Sequence, residues 1–166
     1  MDKHFDANRP CQAVSKQFIK HYKPEKPTLL IAINDFNDQF KPFKERVNYV
    51  TYSNYVDVCW LYFDDISYIP FGGKSPSMFT KTQAKKLIQF LDKHVDANDF
   101  DRILVHCYAG VSRSQAVALF ITKYYLKDQN LFEDLWHQEG KIAGGNRFVY
   151  CLLEETYEEE HHDDSL

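Results

Sequence analysis

No apolar run in this sequence approaches the ~20 residues that a bilayer-spanning helix needs, which argues against a membrane-inserted chain. Residues 1–6 also lack the apolar stretch of a secretion signal, so the expected location is cytoplasmic. Positive charge is not in excess. Twenty Lys and Arg against 24 Asp and Glu give a formal net charge of −4, so no general basic field exists for nucleic acid or a membrane surface. Cysteine is scarce: Cys11, Cys59, Cys107 and Cys151 fall at spacings that match neither a metal motif nor a disulfide framework. A reducing compartment fits that usage. Glycine and proline, six each, form no linker, and no internal repeat is present. The 166 residues, 44% of them hydrophobic, therefore read as one domain with a substantial core and, by default, a monomer.

What is present is an alternation of apolar runs and helical stripes. Residues 10–20 read as a short amphipathic helix with Val14 and Phe18 inward. Residues 28–33 form a continuous apolar run, typical of a strand buried on both faces, and 34–38 turn away from its end. Residues 48–52 and 58–63 read as further strands, and 67–76 as a turn-rich insert able to form a flap. Thr80 and Gln83 make a capping box, with Phe79 and Ala84 placed as a hydrophobic staple. The stripe Ala84, Leu87, Ile88, Leu91, Val95 then predicts a helix leading back to a strand at 102–106. Another helix, apolar on most faces, runs from Arg113 through Tyr124. A short one covers 131–137, ending by Gly140, and a last one follows Asn146 as N-cap. The fold class is α/β: a central, mostly parallel, twisted sheet of about four to five strands flanked by helices. The expected core spans about 28–157, and the charge block 158–166 is expected to fray.

One stretch carries chemistry. Residues 106–114 read HCxxGxxRS, between a strand and a helix. A loop from a strand's carboxyl end to a helix's amino end gathers backbone N–H groups in one space and favours an anion there. Arg113 adds a planar fork that can hold two phosphate oxygens at once. Cys107 in the same loop sits where a thiolate is stabilised.

This motif resembles the signature of the cysteine-dependent protein tyrosine and dual-specificity phosphatases. The resemblance is motif-specific at 106–114 and architectural from about Leu29 onward. It implies a protein tyrosine phosphatase-like fold, a single catalytic domain, a phosphorylated protein or peptide as substrate, and no metal or organic cofactor. Cys107 would be the nucleophile, forming a cysteinyl phosphate. Arg113 would clamp the phosphoryl oxygens, with the N–H groups of Tyr108, Ala109, Gly110, Val111, Ser112 and Arg113 as the rest of the cradle. Ser114 matches the hydroxyl that hydrogen-bonds the sulfur, and His106 the histidine that orients the loop. The family also needs an aspartate general acid on a separate loop. It must reach the carboxyl ends of the strands, which sets aside Asp57, Asp96, Asp99 and Asp101 at the far end. Asp65 is the candidate and Asp64 the alternative, one of the pair being available to shape the loop instead. The Phe-Asp-Asp arrangement before a long insert resembles small microbial or viral members of the family.

Other readings stand beside this one. RNA 5′-phosphatases and phosphoinositide phosphatases share related signatures. The absence of lysine inside the loop argues against the second, and the charge of −4 weakens the first. A catalytically weak phosphate-binding module is the non-enzymatic alternative, and a rhodanese-like sulfur carrier is disfavoured by His106 and the Arg113-Ser114 pair. Cys59 and Cys151 read as buried small hydrophobes, or one of them as a partner resolving an oxidised Cys107. Lys74, Lys141 and Arg147 read as solubilising, or as positive charge near the mouth. His4, His21, His94 and His137 carry no assigned role, and His161-His162 reads as a solvated pair.

Overall fold

The computed structural model describes residues 5–51, 54–69 and 71–162. Residues 1–4, the end of the 48–52 run at Tyr52, Pro70 of the insert and tail residues 163–166 lie outside them. Four strands, β1 (Cys11–Ser15), β2 (Thr28–Asn34), β3 (Asp57–Tyr62) and β4 (Arg102–Cys107), form one sheet in the order β1-β4-β2-β3, with every pairing parallel. β2 and β4 are central and buried along their whole length, which accounts for their unbroken apolar character. The connections are helical: α1 (Lys16–His21), α2 (Phe43–Val47) and α3 (Lys81–Ala97) before β4, then α4 (Arg113–Ile121), α5 (Gln129–Trp136) and α6 (Arg147–Glu160). All nine residues of α4 are buried, and a single π-helical turn, Thr122–Leu126, ends that rod.

Caps fix the helix starts. Thr80 Oγ1 accepts from the Gln83 N–H, Asp128 Oδ1 from Leu131, and Asn146 Oδ1 from Val149. Phe79 and Ala84 are both buried, as a staple requires. The main core lies between the sheet and α3, α4 and α6; a second one, around Phe18, Leu30 and Leu104, covers the other face under α1.

Several expectations are corrected. The amphipathic helix expected over 10–20 is a strand followed by a helix: β1 pairs with β4 from Cys11–Ile103 to Ser15–Cys107, and only Lys16–His21 is helical. Val14 and Phe18 are buried, but from two different elements. Five residues, Cys11–Ser15, are compatible with either period, and pairing with the edge of β4 decides for strand. The core thus reaches back beyond residue 28 to Cys11. The strand expected at 48–52 is absent from its described part, 48–51, which is turn and irregular chain. Val95 is 40% exposed, and His94 takes the inward position instead. There His94 stands between the carboxylates of Asp57 and Asp99, 2.9 Å from each, clipping α3 to the amino end of β3. The end of the chain does not fray at 158: α6 continues to Glu160, with Glu159 and Glu160 paired to Lys81 and Lys85 of α3. Among the described residues no helix is long and apolar enough to cross a membrane.

Candidate active site

β4 delivers Cys107 to the carboxyl edge of the sheet, and the loop from there wraps the amino end of α4. Cys107 is 3% exposed. Its Sγ lies 3.0 Å from Ser114 Oγ on the first turn of α4 and receives the Gly110 N–H at 3.3 Å. The Gly110 N–H and the Ser114 hydroxyl thus both lie within hydrogen-bond reach of the sulfur. The loop conformation needs glycine at 110. Its φ is +78°, and a Cβ there would stand 2.5 Å from the Val14 carbonyl carbon of β1. Gly110→Ala is therefore expected to lower turnover of an aryl phosphate by more than tenfold, because the loop must shift away from β1; a kcat within twofold of the parent would contradict this packing.

Arg113 is 5% exposed and held by Nη1, which donates to Asp35 Oδ1 at 2.9 Å and to the Phe63 carbonyl at 2.8 Å. Asp35 follows β2 and Phe63 follows β3, so both neighbouring strand ends fix the guanidinium at the cradle. Asp65 is exposed, and its Oδ1 accepts from Ser112 Oγ at 2.9 Å and from Asn146 Nδ2 at 2.7 Å. The carboxylate is thereby tied to the loop itself. Asp64 does something else: its Oδ1 accepts the Phe36 N–H at 3.0 Å, joining the ends of β2 and β3. The 140s loop supports the cradle from outside, with Ile142 N–H on the Val111 carbonyl and Lys141 Nζ on the carbonyls of Ala13 and Gly110. Lys141 is thus occupied with the backbone, and Arg147 lies over the rings of Trp136 and Tyr150. Tyr108 is 75% exposed, at the rim. A shallow cleft beside it is lined by Lys16, Asn34, Asp35 and Asp38.

His106 is fully buried beneath the loop. Its Nδ1–H donates to the Cys107 carbonyl at 3.1 Å, leaving Nε2 to accept from Tyr49 Oη–H at 2.7 Å. Tyr49 Oη accepts from Asn34 Nδ2 at 2.9 Å, and Asn34 Oδ1 from Lys16 Nζ at 2.9 Å. A neutral imidazole satisfies both of its contacts, and burial pushes its pKa from 6.5 down to about 3. The unfolded chain binds this proton more readily, so His106 contributes stability above about pH 6.5 that is lost progressively as pH falls toward 3. His106→Gln is expected to show a smaller drop in Tm between pH 7 and pH 4 than the parent, each measured against its own neutral value. An equal drop would mean that other groups account for the acid sensitivity.

The expectation that Cys151 is buried is corrected, since it is exposed on α6. Cys59 is buried but out of reach. It lies opposite Ile31, which lies opposite Val105, so it is two strands across and two residues along from Cys107. Strand spacing puts the pair about 12 Å apart, well past the ~7 Å limit for a disulfide. Asp57 and Asp99 lie at the far end of the sheet with His94. Five residues that sequence reasoning missed join the site: Lys16, Asn34, Asp35, Tyr49 and Asn146. Asn34 and Asp35 carried a signal, because they end and directly follow a central strand at the same edge; Tyr49 carried none. Among the described residues no group of three or more His, Cys, Asp or Glu is placed to hold a metal ion.

No family model and no curated protein matches this sequence. Solved structures do. Tk-PTP in its active form aligns over 92% of this chain and 95% of its own, with a TM-score of 0.54 and 12% identity. Cydia pomonella PTP-2 phosphatase aligns over 90% of this chain and 87% of its own, with a TM-score of 0.53 and 16% identity. The chain therefore has the fold of the cysteine-based protein tyrosine and dual-specificity phosphatases.

Proposed function

We propose that this protein is a cysteine-dependent phosphatase that hydrolyses phosphotyrosine, and phosphoserine or phosphothreonine where their shorter side chains reach the sulfur. The observation that carries this reading is a sulfur with two donors, Ser114 and Gly110, at the base of a loop whose edge holds the Asp65 carboxylate through Ser112. The Cys107 thiolate attacks phosphorus, the bond from phosphorus to the substrate oxygen breaks, and protonated Asp65 gives its proton to that leaving oxygen. Arg113 and the loop N–H groups bear the charge on the phosphoryl oxygens. In the second half the Asp65 carboxylate takes a proton from water, the resulting oxygen attacks phosphorus, and the S–P bond breaks. Ser114 Oγ–H stabilises the departing thiolate, and phosphate leaves. No metal or organic cofactor enters these steps. A thiolate nucleophile requires a reducing compartment, in keeping with a cytoplasmic protein acting on phosphorylated proteins.

The test is hydrolysis of para-nitrophenyl phosphate and of phosphotyrosine and phosphoserine peptides, in reducing buffer with chelator. Turnover of the aryl phosphate and the phosphotyrosine peptide is expected. A parent inactive on all three would overturn the reading and favour RNA 5′ ends or phosphate binding without turnover.

A further inference from the structure

Single exposed apolar side chains are ordinary on any protein surface; their clustering is not. Seven of the nine large hydrophobic side chains exposed among the described residues stand on one edge of this molecule, the carboxyl edge of the sheet. Tyr108 rises from the cysteine loop itself, and Ile142 from the loop bonded to Val111. Tyr68, Ile69 and Phe71 follow Asp65 on the insert, the last with its ring wholly in solvent. On the other side Phe40 and Phe43 follow Asp35. The two exceptions, Val56 and Val95, belong to the opposite end, near the start of β3 and the end of α3.

The charges among them choose the partner. Asp35, Asp38, Asp64 and Asp65 stand on this edge among Lys16, Lys41, Lys44, Lys74 and Lys141, so beyond the cradle the rim mixes both signs and offers a polyanion no continuous basic track. Three of these lysines are already engaged: Lys141 with backbone carbonyls, Lys41 with Asp38 and Lys16 with Asn34 Oδ1. We infer that the rim is a substrate-docking surface for a polypeptide whose phosphorylated residue is flanked by apolar side chains. This rests on the phosphatase reading for the position of the phosphate. A single dianionic group enters the cradle while the residues on either side lie against Ile69, Phe71 and Phe40. Aromatic side chains suit this task, since they bury much area for few ordered torsions.

The experiment compares two phosphotyrosine peptides, one flanked by leucine and phenylalanine and the other by glutamate and serine. Binding is measured by fluorescence anisotropy to the Cys107→Ser protein, which cannot turn them over. The apolar-flanked peptide is expected to bind about tenfold more tightly, the scale on which apolar contacts discriminate between substrates. That ratio should fall toward one in Cys107→Ser proteins carrying Ile69→Ser with Phe71→Ser, or Phe40→Ser, whose exposed positions leave the fold intact. Equal binding of the two peptides, or a ratio indifferent to the rim substitutions, would overturn the inference. So would rim substitutions that weaken binding to 5′-phosphorylated RNA or to phosphatidylcholine vesicles but not to the apolar-flanked peptide. Hydrolysis of para-nitrophenyl phosphate by protein with Cys107 intact, run in parallel, reports on the catalytic reading alone. Its absence would sink that reading while the binding ratio still decides the surface.

Discussion

Cys107→Ser is expected to reduce kcat for para-nitrophenyl phosphate by on the order of 10⁴–10⁶, the loss seen when a nucleophile is removed from a machine that acts as a unit. The structure argues that this loss would be chemical rather than architectural. Cys107 is buried at the end of β4, and its sulfur already accepts from the Gly110 N–H and faces the Ser114 hydroxyl. A serine oxygen can occupy that space and keep both contacts, so the loop should retain its shape and its affinity for a phosphorylated ligand. Thermal midpoints of parent and variant are expected to agree within about 3 °C, the shift that corresponds to less than about 1 kcal/mol in a domain of this size. Turnover within tenfold of the parent would place the nucleophile elsewhere.

The second large effect separates the adjacent aspartates. Asp65→Asn is expected to lower kcat by about 10²–10⁴, the range for a positioned general acid. The amide oxygen can still accept from Ser112 and Asn146, so binding should survive. Asp64→Asn should cost less than about fivefold in kcat. The Asp64 carboxylate accepts a backbone N–H from Phe36, a bond that an amide oxygen can also accept and that is worth only about 0.5–1.5 kcal/mol. If Asp64→Asn carried the larger loss, the roles of the pair would be exchanged.

The signature loop was legible because its chemistry is local: histidine, cysteine, glycine, arginine and serine at fixed offsets all act within one strand–loop–helix unit. The central strands β2 and β4 were legible because burial on both faces leaves an unmistakable apolar run. β1 was not, since five residues cannot distinguish a period of 2 from one of 3.6 and its partner lies about ninety residues downstream in the register Cys11–Ile103. The partners of the site were hidden for the same reason. Arg113 depends on Asp35, Asp65 on Asn146, and His106 on Tyr49, pairs separated by 78, 81 and 57 residues. Tyr49 reads as part of a strand because its neighbours are aromatic and β-branched. What places it is a turn that aims one hydroxyl at a buried imidazole.

The strand order also dictates when the nucleophile can exist. β1 and β2 are made early, yet neither pairs with the other; β4 must slot between them. Until residue 107 has been synthesised the sheet has a gap at its centre, and its first strand waits with no partner. The cysteine is the last residue of the strand that fills the gap. Closure of the sheet and assembly of the anion cradle are therefore one event. Pairing over such sequence separations is slow and exposes unsatisfied strand edges meanwhile. A nascent or truncated chain that ends before β4 has neither a closed sheet nor the cysteine, and one that ends before α4 lacks Arg113 and Ser114, so neither holds the complete cradle.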